Sequence, residues 1–165
     1  MNSLNRPEFL LNNKTFQTIY GRNLLHELNI IIPNETLIVT MEDLWDDFSN
    51  FFTKNVQVHL VKNLDINTLE SDYEKTKNFN AVVGIGGGQA LDTAKFFSWK
   101  SNKKLFQVPT SMSVNAAFGH RFASRIDGNI NYIGWTVPEA VYVDYDIIKK
   151  APKIFNRSGI CEILC

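Results

Sequence analysis

Two cysteines and three histidines are all that this 165-residue chain offers a disulfide framework or a metal site. Cys161 and Cys165 stand four apart, so on a helix they share one face, where a disulfide is geometrically awkward and two thiols alone make no zinc site. Buried, reduced cysteines are the expectation. His26, His59 and His120 show no His-x-x-x-His spacing. Charge of one sign is missing too: 17 basic residues balance 17 acidic ones and no Lys/Arg-rich block occurs, which speaks against a nucleic-acid partner. No apolar run approaches the ~20 residues needed to span a bilayer, and Met1 to Glu8 lack the apolar stretch of a secretory signal. A soluble, cytoplasmic protein with no membrane partner is therefore expected.

What remains is a chain about one domain long, 44% hydrophobic and able to bury a core. Strand patterns cover Thr36 to Thr40, Val56 to Val61, Ala81 to Ile85, Leu105 to Val108 and Ala140 to Val143. Helical patterns cover Asp43 to Phe52, Ile66 to Lys77 and Ala90 to Phe97, with another opening at Tyr145. Strands separated by helices predict an α/β fold, a Rossmann-like, doubly wound and mainly parallel sheet with flanking helices. The segment Ile126-Asp127-Gly128-Asn129-Ile130 predicts a projecting β-hairpin.

Residues Gly84 to Lys95, Gly-Ile-Gly-Gly-Gly-Gln-Ala-Leu-Asp-Thr-Ala-Lys, join a buried-strand pattern to an amphipathic helix through three successive glycines. Gly86, Gly87 and Gly88 can adopt unusual backbone angles and lie flat against a ligand, and the free N–H groups of the helix start suit an anion such as a diphosphate. A nucleotide-triphosphate P-loop, Gly-x-x-x-x-Gly-Lys-Ser/Thr, is absent, and Gly-x-Gly-x-x-Gly fails at Gln89. The competing account is a plain strand-to-helix turn, with Asp92 favouring the first helical turn and Lys95 a solvated charge.

The chain from Gly86 onward resembles the superfamily of iron-type alcohol dehydrogenases, glycerol dehydrogenases, glycerol-1-phosphate dehydrogenases and dehydroquinate synthases. Gly86 to Lys95 is similar to its Gly-Gly-Gly-x-x-x-Asp-x-Ala-Lys signature. Val108-Pro109-Thr110-Ser111-Met112-Ser113 resembles its Val-Pro-Thr-x-x-Ser loop, and Phe122-Ala123-Ser124 follows in the expected place. Pro138 to Asp144, Ala151-Pro152 and Arg157 to Glu162 are similar to the later segments of the glycerol-1-phosphate and glycerol dehydrogenases, and the first 80 residues agree only in pattern.

The resemblance implies a cofactor-binding domain at 1-156, for NAD or NADP, with 157-165 opening a helical metal and substrate domain from a helix that starts near Arg157. Family members continue for about as long again, so the expectation is the isolated cofactor domain of a longer enzyme, inactive by itself. By the same resemblance Gly86, Gly87 and Gly88 bind the pyrophosphate, and Asp92, Lys95, Thr110, Ser111 and Ser113 lie at the cofactor. Glu162 takes the place of the first ligand to a divalent metal, zinc in the glycerol-type enzymes, with iron the other candidate, once histidines of the further domain are present. Asn115 falls near the substrate where those enzymes carry Asp, which keeps a hydrogen-bonding group in the catalytic centre and removes a charge.

The activity implied is reversible hydride transfer between the nicotinamide and a small polyol or phosphorylated polyol, and a homo-oligomer is left open. A phosphorylated substrate calls for basic side chains, with His120, Arg121 and Arg125 as candidates beside the plainer reading of surface charge. No acidic residue stands clearly at the tip of the strand ending at Thr40, which leaves NAD and NADP unseparated. Two alternatives stay open: a dehydroquinate-synthase-like cyclase, whose loop after Val-Pro-Thr is poorly matched, and a non-catalytic nucleotide-binding module.

Overall fold

The computed structural model describes residues 15–76 and 78–164, and of residues 161–164 the backbone alone. Six strands form one all-parallel sheet: β1 (Gln17–Gly21), β2 (Thr36–Thr40), β3 (Val56–Leu60), β4 (Ala81–Gly86), β5 (Lys104–Pro109) and β8 (Ala140–Asp144), in the order β1-β8-β5-β4-β2-β3. The helices are α1 (Leu24–Ile31), α2 (Glu42–Phe48), α3 (Ile66–Lys75), α4 (Gly88–Ser101), α5 (Tyr145–Lys150) and α6 (Lys153–Leu164). β6 (Phe122–Ile126) and β7 (Asn129–Ile133) make the separate antiparallel hairpin expected around Asp127 and Gly128.

Alternation along the strands sends side chains to two cores. Ile38, Val83, Ile85 and Val108 pack with Leu24, Leu25 and Leu28 of α1 and Phe48 of α2 on one face. Leu37, Val39, Val82 and Leu105 pack with Leu69 of α3 and Ala90, Ala94, Phe96 and Phe97 of α4 on the other. With both faces covered, β2, β4 and β8 are buried throughout, which is why they read as unbroken apolar runs. The doubly wound architecture is therefore present as predicted.

Neighbouring strands β2 and β4 send their following helices to opposite faces, α2 to the first core and α4 to the second. Such a reversal opens a crevice beyond the carboxyl ends of the two strands, where ligands of this architecture bind.

The structure adjusts several expected boundaries. The helix expected from Asp43 to Phe52 stops at Phe48, and a single 3-10 turn, Ser49–Phe51, leads out of it. Helix α3 ends at Lys75, and Lys77 lies outside the described residues. Helix α6 begins directly after Pro152, one turn before Arg157, because proline's fixed φ suits the entry to a helix. β1 and α1 had no counterpart in the sequence reading. β1 is a short edge strand with partly exposed side chains, and α1 starts behind Asn23, which is in a left-handed conformation and whose own side chain does not cap the helix.

Candidate functional site: the glycine turn and its cleft

The turn after β4 uses its glycines for different reasons. A Cβ at Gly84 would stand 2.7 Å from Ala94 Cβ and 2.9 Å from Gln107 Oε1, so this glycine lets α4 lie close on the sheet. Gly86 has φ +150°, and a Cβ there would meet Ala90 Cβ at 2.7 Å. Gly87 has neither constraint. Its φ of −84° and ψ of −170° suit any residue, and a Cβ there would have nothing within 4 Å. Folding does not require glycine at 87, and the bare backbone faces open space at the start of α4, where no side chain caps the helix. The arrangement fits a diphosphate approaching the helix start.

Beside the turn lies a cleft of about 600 Å³ whose wall includes Gly88, Asp92, Lys95, Asn115, His120 and Arg121. Lys95 is 1% exposed and Asp92 7%, which rules out the solvated-charge account of Lys95. Lys95 Nζ stands 2.7 Å from Asp92 Oδ1 and donates to Arg121 O at 2.8 Å. Burial pushes the Asp92 carboxyl above its usual range, with the Lys95 ammonium opposing the shift, and burial draws Lys95 down, with Asp92 opposing. His120 is held below its ordinary value by burial and then by the Lys95 charge. Its ring stacks on Trp135 at 5.0 Å between centroids.

The structure thus brings four residues singled out in the sequence, Gly88, Asp92, Lys95 and Asn115, to one cleft. Asn115 is exposed, on the 3-10 turn Asn115–Ala117. Thr110 borders the glycine turn through its amide, which donates to Gly86 O at 3.0 Å. Ser111 and Ser113 stand outside the cleft wall, their hydroxyls 3.0 Å apart and bonded to each other. Of the three basic candidates, His120 and Arg121 line the cleft, whereas Arg125, exposed on β6, is not part of its wall. Glu162 belongs to α6, and its side chain lies outside the described residues.

Sequence reasoning missed Gln89, Tyr132 and Trp135 in the wall. It also missed Asn156, whose Oδ1 accepts from Met112 N at 3.0 Å while its Nδ2 donates to Ile148 O at 2.8 Å, tying the loop after β5 to α6. Gln107, a polar residue within an apolar strand, is buried beneath α4, where it donates to Leu91 O at 3.2 Å.

A family model described as iron-containing alcohol dehydrogenase matches residues 15–152. The chain belongs to the iron-containing alcohol dehydrogenase family. It is 31% identical over 142 residues to the NAD(P)+ glycerol-1-phosphate dehydrogenase of Methanococcus maripaludis, a match covering 86% of this chain and 39% of that protein. The corresponding enzyme of Sulfolobus acidocaldarius is 27% identical over 167 residues, covering 92% of this chain and 46% of the relative. Among solved structures, glycerol dehydrogenase from Schizosaccharomyces pombe superposes with a TM-score of 0.80 at 19% identity, covering 91% of this chain and 42% of that one, a likeness of fold. The chain spans less than half the length of each of these three proteins. Among its described residues no three His, Cys, Asp or Glu side chains gather to hold a metal ion, and no helix is long and apolar enough to cross a membrane.

Proposed function

We propose that this member of the iron-containing alcohol dehydrogenase family is the NAD(P)-binding part of a metal-dependent dehydrogenase for a polyol or phosphorylated polyol. The observation that carries the reading is Gly87, a glycine that neither backbone angle nor packing calls for, opening onto the helix start at the crevice. Family membership and the glycerol-1-phosphate dehydrogenase relatives support the substrate class.

Bound NAD(P) supplies or accepts the hydride exchanged with the carbinol carbon. In this reading the bare backbone of Gly86 to Gly88 receives the diphosphate. Asp92 and Arg121 O hold the Lys95 ammonium in the cleft wall, where a buried positive charge attracts an anionic or electron-rich group. Asn115 offers the substrate a neutral donor and acceptor. Arg121 gives the same wall a cationic group for a substrate phosphate, and His120, held below its ordinary value, offers a ring N–H beside it. The described residues do not by themselves form a metal site, and Glu162 would be one ligand of a divalent ion completed from outside them.

Calorimetric titration with NADH tests the reading. Saturable binding that disappears in Gly87→Val is the expected result. A folded chain that binds no nicotinamide nucleotide, or a Gly87→Val variant that binds as well as the parent, would overturn it.

A further inference from the structure

We infer that Asn156 is a positioning residue that couples the cofactor site to helix α6: by holding Met112 it makes the loop after β5 and the helix carrying Glu162 move as one. The inference rests on the cofactor site proposed above, with Thr110, Ser111 and Ser113, the residues around Met112, as its contacts from this loop.

One side-chain amide spans two elements. Asn156 Oδ1 accepts from Met112 N at 3.0 Å, and Nδ2 donates to Ile148 O at 2.8 Å, so the loop and α5 are both tied to α6. Three residues further along the same face of α6, Gly159 lies against the same loop residue. A Cβ built on Gly159 would stand 1.7 Å from Met112 O and 2.9 Å from Met112 C, which leaves no room for any side chain. Glycine weakens a helix interior, and here the closeness of loop and helix requires it. Met112 is thus held at its amide by one residue of α6 and covered at its carbonyl by another.

The rest of this stretch of α6 gives the helix little other seat. From Lys153 to Ile160 every residue is exposed except Asn156 and Gly159. Ile154, Phe155 and Ile160 are 68%, 52% and 55% exposed, so no buried apolar stripe docks the helix here. At the near end of the loop, Thr110 N donates to Gly86 O at 3.0 Å, within the glycine turn. The physical connection from that turn to α6 is therefore short, running through Thr110, Met112 and Asn156, with Glu162 less than two helical turns beyond. A ligand that fixes the loop favours the seated helix, and the seated helix favours the ligand by the same factor. One ordinary hydrogen bond sets that factor on the order of fivefold.

The test is hydrogen exchange at the amides of α6 with and without NADH, beside calorimetric NADH titration and thermal melting, on the parent chain, Asn156→Leu and Asn29→Ala. Asn156→Leu keeps the side-chain volume and removes both bonds. Asn29→Ala removes two bonds to Thr53, just before β3 begins and so at the opposite end of the sheet, and serves as a chain weakened elsewhere. NADH is expected to slow exchange in α6 on the order of fivefold in the parent and in Asn29→Ala, which should bind it equally well. In Asn156→Leu the α6 amides should gain no protection from NADH, and NADH should bind on the order of fivefold more weakly. Exchange in α6 that NADH leaves unchanged in the parent overturns the inference, whatever Asn156→Leu does. Equal slowing in Asn156→Leu overturns it too, as does a loss of NADH affinity in Asn29→Ala as large as in Asn156→Leu, which would make stability alone the cause. A folded parent chain that binds no NADH is a different result, because it removes the cofactor site itself and this inference with it.

Discussion

Lys95 Nζ lies 2.7 Å from Asp92 Oδ1, less than one helical turn back along α4, with the two side chains only 2% and 10% exposed. Each charge is tolerable in that position because of the other, so removing either leaves a buried group without its counter-charge. Lys95→Met and Asp92→Asn are each expected to cost about 3–5 kcal/mol. The double variant should lose clearly less than the sum of the two. Urea unfolding of the four proteins checks this, and additive losses would mean that the pair acts as two independent side chains.

Gly87 and its neighbours should respond with opposite signs. Gly84→Ala and Gly86→Ala force a methyl into atoms 2.7 Å away and are expected to destabilise by about 1–3 kcal/mol. Gly87→Asp places a good helix cap in open space and should raise stability by roughly a few tenths of a kcal/mol. The same carboxylate faces the proposed diphosphate, so NADH binding should vanish in the variant that melts higher. Thermal melting and calorimetry on the same samples read the two effects separately, and a Gly87→Asp protein that still binds NADH would contradict them.

His59 gives stability a pH dependence. Its ring lies 4.9 Å from that of Phe97, and burial lowers its pKa, opposed by Asp72 at 3.7 Å and reinforced by Lys62. The unfolded chain then binds a proton more readily than the folded one. Stability on this account is fully present above the unfolded value near 6.5 and falls as pH drops from there through the folded value. His120, also lowered, adds in the same direction. Denaturation curves between pH 7.5 and 5 should show the decline, and His59→Gln should flatten it; a slope identical in both proteins would assign it elsewhere.

Asp144 is 2% exposed and serves two helices. Its Oδ2 accepts from Leu24 N at 2.7 Å, in the first turn of α1, and its Oδ1 accepts from Asp146 N at 2.9 Å, in that of α5. Asp144→Ala should therefore cost about 2–4 kcal/mol, roughly twice a single cap. Asp144→Asn, which retains one acceptor, should fall between Ala and the parent in urea unfolding.

Legibility in the sequence followed burial. The strands covered on both faces, such as Ala81–Gly86 and Ala140–Asp144, are apolar runs that can hardly be misread, and the hairpin is marked by Asp127-Gly128. β1 was invisible because an edge strand keeps polar and exposed residues, with Tyr20 60% exposed, and takes its meaning from β8, which lies far along the chain. At the site, the glycine run was legible as a turn, but which glycine is free of packing depends on Ala90, Ala94 and Gln107, residues of two other elements. Lys95 could not be told from a surface lysine, since its burial comes from the Gly119 to Arg121 segment folding over it. Trp135 reaches the cleft only through the hairpin's return.

The pairing of β1 with β8 has a consequence for how the protein is made. Gln17 to Gly21 leave the ribosome before the rest of the sheet, yet their partners, Ala140 to Asp144, emerge more than a hundred residues later. Until then the first strand has an unpaired edge and α1 lacks its cap, while β2, β3 and β4 already have their neighbours. Assembly would thus begin in the middle of the chain and finish by closing the earliest segment onto one of the last, a slow, non-local step. A fragment ending at Pro138, which has β2 to β5 but not β8, should protect the amides of β2 and β4 while those of β1 still exchange freely.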